Sequence, residues 1–136
     1  MKLHTVLLVV LALPVAVPAD DEPWIVTGDV VITEPTTLGH TIVVGEGSIT
    51  VRDVPYPGVQ VEGHLWMIES SELVLERSAI RFLSTYNGQY QLVAVDEAEV
   101  QIRDCDYRVP HGVQHALVTA GEATTTVEDS TFGFAQ

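Results

Sequence analysis

Arginine pairs, acidic turns and aromatic rings are the groups in this chain whose types and spacing could do chemistry. Arg81 and Arg108 each follow a bulky residue, Ile80 and Tyr107, at the end of two similar stretches of sequence. Two guanidinium groups held side by side could grip carboxylate groups of an anionic ligand through paired hydrogen bonds. The plainer reading pairs each arginine with a local acid such as Asp106. Tyr86, beside the turn residues Asn87 and Gly88, offers a flat face on which a sugar ring could stack. Asp104, Asp106 and Asp129 form a candidate set of oxygen ligands for calcium. They lack the ordered spacing of a calcium loop, and solvated surface carboxylates are the plainer account. His111 and His115 are spaced as zinc ligands on a helix would be, but Pro110 and Gly112 argue for a loop there. Cys105 is the single cysteine, so no internal disulfide forms. With no histidine near it in sequence, a small packed residue is a better reading of it than a nucleophile.

The elements that must position these groups are announced by self-similarity. Ser48–Val54, Glu72–Ser78, Glu99–Cys105 and Thr124–Ser130 align with one another, and a shorter copy, Asp29–Glu34, precedes them. Matched residues fall at steps of 19, 24, 27 and 25 residues. Each copy alternates apolar and polar side chains, so Ile49/Val51, Leu73/Leu75, Val100/Ile102 and Thr125/Val127 face one way, as half-buried strands require. A second apolar strand comes before each: Ile42–Val44, Leu65–Ile68, Leu92–Val95 and Leu117–Ala120. After each copy comes a small residue and then a bulky one, Val54 and Tyr56, Ser78 and Ile80, Cys105 and Tyr107, Ser130 and Phe132, which predicts a third short strand. The turn-rich segments Pro55–Gly58, Ser84–Gly88 and Pro110–Gly112 are expected to close the coils. The pattern describes an all-β solenoid of about four to five coils, with a β-sandwich as the rival architecture. Stacking the coils puts Arg52, Glu76, Arg103 and Glu128 in one outward column of alternating sign. It also stacks like charges, Glu69 on Asp96, Glu72 on Glu99 and Asp104 on Asp129, and sets His40 beside His64 in a turn ladder. Trp66 and Tyr107, as strand aromatics, are expected in the core.

Residues 1–19 read as a signal peptide. Lys2 and His4 precede the apolar run Val6–Leu13, and Val17-Pro18-Ala19 supplies a small-residue cleavage site. That run is far short of the roughly 20 residues needed to span a bilayer, so no membrane span is expected and the destination is extracellular or periplasmic. The remainder divides into a cap segment, residues 20–28, and the repeats, residues 29–136. It has no lysine and sets five arginines against 19 carboxylates, hence a formal charge of −14. Such a surface repels nucleic acid and anionic membranes.

The repeating units Ile49–Val54, Leu73–Ser78, Val100–Cys105 and Thr125–Ser130 resemble those of the right-handed parallel β-helix, or pectin-lyase-like, superfamily. The resemblance covers roughly residues 24–134 and is one of fold, so it names no activity. It implies a right-handed coil and, as a substrate class, acidic polysaccharide. The superfamily's lyases use an Arg or Lys base with carboxylate-bound calcium and its hydrolases use clustered aspartates; no such signature can be matched here residue by residue. The expected function is therefore a secreted, non-catalytic module with a structural, carbohydrate-binding or cell-surface-binding role. The alternative is the N-terminal part of a polysaccharide lyase or glycoside hydrolase. Phe132–Gln136 carries no closing cap, so the C-terminal edge is expected to need further coils or a partner subunit.

Overall fold

The computed structural model of the protein describes residues 22–135. The first rung of strands is β1 (Trp24–Val26), β2 (Asp29–Ile32) and β3 (Thr36–Leu38). The second is β4 (Thr41–Val43), β5 (Ser48–Arg52) and β6 (Val59–Val61), and the third is β7 (Leu65–Met67), β8 (Glu72–Glu76) and β9 (Ala79–Phe82). Then come β10 (Gln91–Ala94), β11 (Glu99–Arg103) and β12 (Asp106–Pro110), and finally β13 (Ala116–Thr119), β14 (Thr124–Glu128) and β15 (Thr131–Ala135). Each strand pairs with its equivalent in the next coil, never with its sequence neighbour. The result is three five-stranded sheets: β1-β4-β7-β10-β13, β2-β5-β8-β11-β14 and β3-β6-β9-β12-β15. Every pairing is parallel, which excludes the sandwich and makes the molecule a parallel β-solenoid of about four turns.

Alternation sends one residue in two into the lumen. Ile49, Val51, Leu73, Leu75, Val100 and Ile102 from the second sheet meet Val43, Leu65, Met67 and Leu92 from the first and Val59, Val61, Ile80 and Phe82 from the third, all of them buried. The last coil differs: Val127 is 43 % exposed and Phe132 is 44 % exposed, because nothing in the described residues lies over them.

The corners explain how so short a strand can turn so sharply. At the corner between the second and third sheets, Asp53, Arg77, Asp104 and Asp129 all have positive φ. At the corner between the first and second, Gly45, Glu69, Asp96 and Gly121 do. One residue in the left-handed region redirects the chain within a single peptide, and short polar side chains and glycine tolerate it best. The residue after the first of these corners points inward and closes the bend. Ser78 Oγ donates to the Glu76 carbonyl at 2.7 Å and accepts from the Val54 N–H at 3.1 Å. Ser130 repeats the motif on Glu128 and Cys105, and the Cys105 thiol donates to the Arg103 carbonyl at 3.3 Å. Cys105 is thus a buried rung of a hydroxyl ladder, with burial raising its thiol pKa. Acidic corners are capped in the same way: the Asp96 carboxylate accepts the Glu69 N–H at 2.9 Å, and Glu69 Oε1 accepts the Gly45 N–H at 2.6 Å. The stacked Glu69–Asp96 pair is therefore tied to backbone donors, not left to repel.

Two expectations from the sequence need correction. Tyr56 is not part of the third strand of its coil. Pro55–Gly58 is a loop inserted before that strand, which starts at Val59 and pairs Val59 with Ile80. Trp66 is not in the core; it lies on the outer face of β7 and is 40 % exposed. Within residues 20–28, Trp24–Val26 forms a rung paired with β4; Asp20 and Asp21 of that segment, and the whole of residues 1–19, lie outside the described residues.

Candidate functional site

The register of the third sheet sets Arg81 directly beside Arg108, with Gln60 in the rung before and Gly133 in the rung after. These residues point outward because their neighbours Ile80, Phe82, Tyr107 and Val109 fill the lumen. The two guanidiniums are held differently. Arg108 Nε donates to Asp106 Oδ1 at 2.7 Å, and a second nitrogen of the same group donates to the Phe134 carbonyl at 3.1 Å, across the bare backbone of Gly133. Arg81 has no carboxylate partner among the described residues; its guanidinium carbon sits 5.7 Å from the centroid of the Tyr56 ring. A guanidinium resting on an aromatic face keeps its in-plane N–H donors available to an incoming anion.

Tyr56, exposed by 75 %, is the aromatic ring that lies against Arg81. Tyr86 is itself exposed, in the loop between β9 and β10, where Gly88 N–H donates to the Gln114 carbonyl and Asn87 accepts from Gln114 N–H. The structure records no contact between Tyr86 and either arginine. Pro55–Gly58 is the turn its two prolines and glycine announce, but it precedes the third strand of its coil instead of following it, and so projects Tyr56 beside that sheet.

The proposed calcium ligands are not gathered. Asp106 is committed to Arg108, while Asp104 and Asp129 sit one above the other at a corner of the coil. Among the described residues no group of three or more His, Cys, Asp or Glu side chains is placed to hold a metal ion. His111 and His115 also part company. His111 packs edge-on to Phe134, whereas His115 turns inward against Phe82, with ring centroids 4.4 Å apart. Its Nε2 lies 2.8 Å from the Tyr107 hydroxyl.

No protein-family model, curated protein or solved structure matches this chain.

Burial depresses the pKa of His115, and burial followed by the neighbouring His40 depresses that of His64. His64 donates its backbone N–H to His40 Nδ1 at 3.0 Å, and the two rings stack 5.1 Å apart. His64 and His115 are therefore favoured neutral in the fold. A histidine with a depressed folded pKa contributes stability that is present in full above the ordinary value near 6.5 and is lost as pH falls from there toward the folded value. Unfolding by urea between pH 7 and pH 5 should show stability declining with acidification. His115→Gln should flatten that slope; an unchanged slope would show that His115 is solvated.

The charges on the three outer faces are distributed unequally. In the second sheet Arg52, Glu76, Arg103 and Glu128 share one column as expected, and Glu72 stacks on Glu99. Arg103 pairs with Glu76, and Arg77, from the corner, pairs with Asp53 at 2.7 Å. Among the described residues the outer face of the first sheet carries no charged side chain. Its central column runs Ile25, Ile42, Trp66, Val93 and Val118. It is flanked on one side by Val44, Ile68, Val95 and Ala120, which continue the strands, and on the other by His40, His64, Gln91 and Ala116. Trp66 leans on His64, with centroids 5.5 Å apart.

Proposed function

We propose that the chain is a secreted, non-catalytic β-helix module of the pectin-lyase-like kind that binds acidic polysaccharide along the outer face of its third sheet. The observation that carries this reading is the strip formed by Tyr56, Arg81 and Arg108. An exposed phenol ring suits a sugar face, and the unpaired donors of Arg81 lie beside it at the distance of a neighbouring substituent. Arg108, fixed by Asp106 and the Phe134 carbonyl, presents its remaining donor edge one rung away. A parallel solenoid repeats its rungs every 4.8 Å or so, which gives an extended polymer a straight track.

The field of the protein opposes an anionic ligand at long range, since the chain remaining after Ala19 carries a formal charge of −14. Binding is accordingly expected to be short-ranged and weak at low salt, with the local arginine contacts dominating once the field is screened.

Affinity electrophoresis through gels containing polygalacturonate, with a neutral glucan as reference, checks the reading. Retention by the uronate polymer alone is expected, and Arg81→Ala should weaken it by about 10-fold or more, the worth of a charge-assisted hydrogen bond. Equal retention in both gels, or full retention of Arg81→Ala, would rule the strip out. The same arginine pair favours, as a second reading, the front portion of a lyase acting on that polymer. Absorbance from unsaturated product, followed with calcium present, separates a lyase from a binding module.

A further inference from the structure

We infer that the outer face of the first sheet is a self-association surface through which two copies of this chain pack sheet to sheet, with Trp66 at the centre. The inference is independent of the arginine strip, which lies on a different sheet. It starts from the strand sequences. Ile42–Val44, Leu65–Ile68 and Leu92–Val95 are apolar without alternation. Unbroken apolar runs of this kind belong to strands covered on both faces. Here one face lines the lumen and the other is open, with Ile25 exposed by 50 %, Trp66 by 40 % and Val118 by 38 %.

Three observations identify the occupant as a second copy. Charge is the first: a chain so acidic repels itself wherever carboxylates meet, and the first sheet offers an outer face with none. Size is the second. Five strands about 4.8 Å apart and some five residues of about 3.3 Å each give roughly 400 Å² per copy in projection, about 1,000 Å² of accessible surface for a pair, the lower end of specific interfaces. Symmetry is the third. Trp66 lies on β7, the middle strand of five, in the middle column. A two-fold axis along that strand sets Trp66 against its mate, Ile42 against Val93 and Ile25 against Val118, so the column is complementary to its own reversal. Interface energy concentrates in such central, desolvated aromatic residues. Paired faces would sit about 10 Å apart, as in stacked sheets.

Sedimentation equilibrium of the purified full chain over about 1 to 100 µM, the range that an interface of this size supports, tests the inference. A monomer–dimer equilibrium is expected, with Trp66→Asp weakening it by about 30-fold or more and Arg81→Ala leaving it unchanged. Val93→Lys, on the neighbouring strand of the same column, should act in the same direction, and circular dichroism confirms that both variants are folded. A monomer throughout the range overturns the inference, as does a dimer indifferent to both Trp66→Asp and Val93→Lys. Binding of the monomer to zwitterionic phosphatidylcholine vesicles, with a blue shift of tryptophan emission, would overturn it in favour of a lipid surface.

Discussion

Phe82→Ala is expected to lower the free energy of unfolding by about 3–5 kcal/mol, read as a reduced urea midpoint at constant slope. Phe82 is 1 % exposed, and its ring packs 5.7 Å from that of Tyr107 and 4.4 Å from that of His115. The lumen is only as wide as the side chains that fill it. Residues from all three sheets, Leu38, Val61, Leu65, Leu75 and Leu92 among them, already surround a narrow apolar void beside this ring. Removing the ring enlarges a space that three hydrogen-bonded walls prevent from collapsing, so the cavity term is expected to be nearly complete. Against a total stability of about 5–15 kcal/mol for an ordinary domain, that loss is a large fraction. Phe82→Leu should cost less than half as much. A loss below about 1 kcal/mol for the alanine variant would mean that β9 is turned over. Because side chains alternate, it would also withdraw Arg81 from the surface.

Gly58→Ala is expected to destabilise by about 3 kcal/mol or more, for two reasons that a companion variant separates. Gly58 has φ +79, and a Cβ there would stand 2.0 Å from the Ala79 carbonyl oxygen and 2.7 Å from the Ala79 Cβ. The conformational cost for an L residue is about 1–2 kcal/mol. The overlap cannot be relieved by a rotamer change, because Ala79 is itself held in the ladder by its N–H donating to the Val54 carbonyl at 2.9 Å. Gly88 has a similar φ, +74, with nothing within 4 Å, so Gly88→Ala should bear the conformational cost alone. Thermal unfolding of the two variants side by side isolates the clash between coils. The same displacement would move Tyr56, two residues away in the loop, so Gly58→Ala should also weaken uronate binding while Gly88→Ala does not. Equal destabilisation by the two would show that the Pro55–Gly58 loop stands clear of the next coil.

Much of the architecture was legible because a solenoid repeats its instructions. Glu72–Ser78 and Glu99–Cys105 carry the same alternation, the same corner and the same inward small residue, and stacking like on like is what buries them. The Arg52–Glu76–Arg103–Glu128 column and the Arg81–Arg108 rung follow from that register alone. Where the repeat is interrupted, legibility stops. The Pro55–Gly58 loop moves the third strand of its coil to Val59 and sets the Tyr56 ring against Arg81, a contact the spacing of the repeats does not contain. Trp66 departs from expectation for a different reason: in a run apolar at every position, alternation no longer tells inside from outside, and only the buried neighbours Leu65 and Met67 decide it.

From its residues alone this chain determined the strand periodicity, the repeat, the excess of acid and the side chains that a stack of coils would align, since each depends on local alternation, repeat length and composition; the choice of parallel coils over a sandwich was made by the strand pairing. Which residues of the loops fold back onto those columns was decided by the tertiary structure. Tyr56 under Arg81 and His115 turned in against Phe82 are contacts made across or beside coils. They depend on where inserted turns and side-chain rotamers find space, and that packing of neighbouring coils has no counterpart in the spacing of a linear sequence.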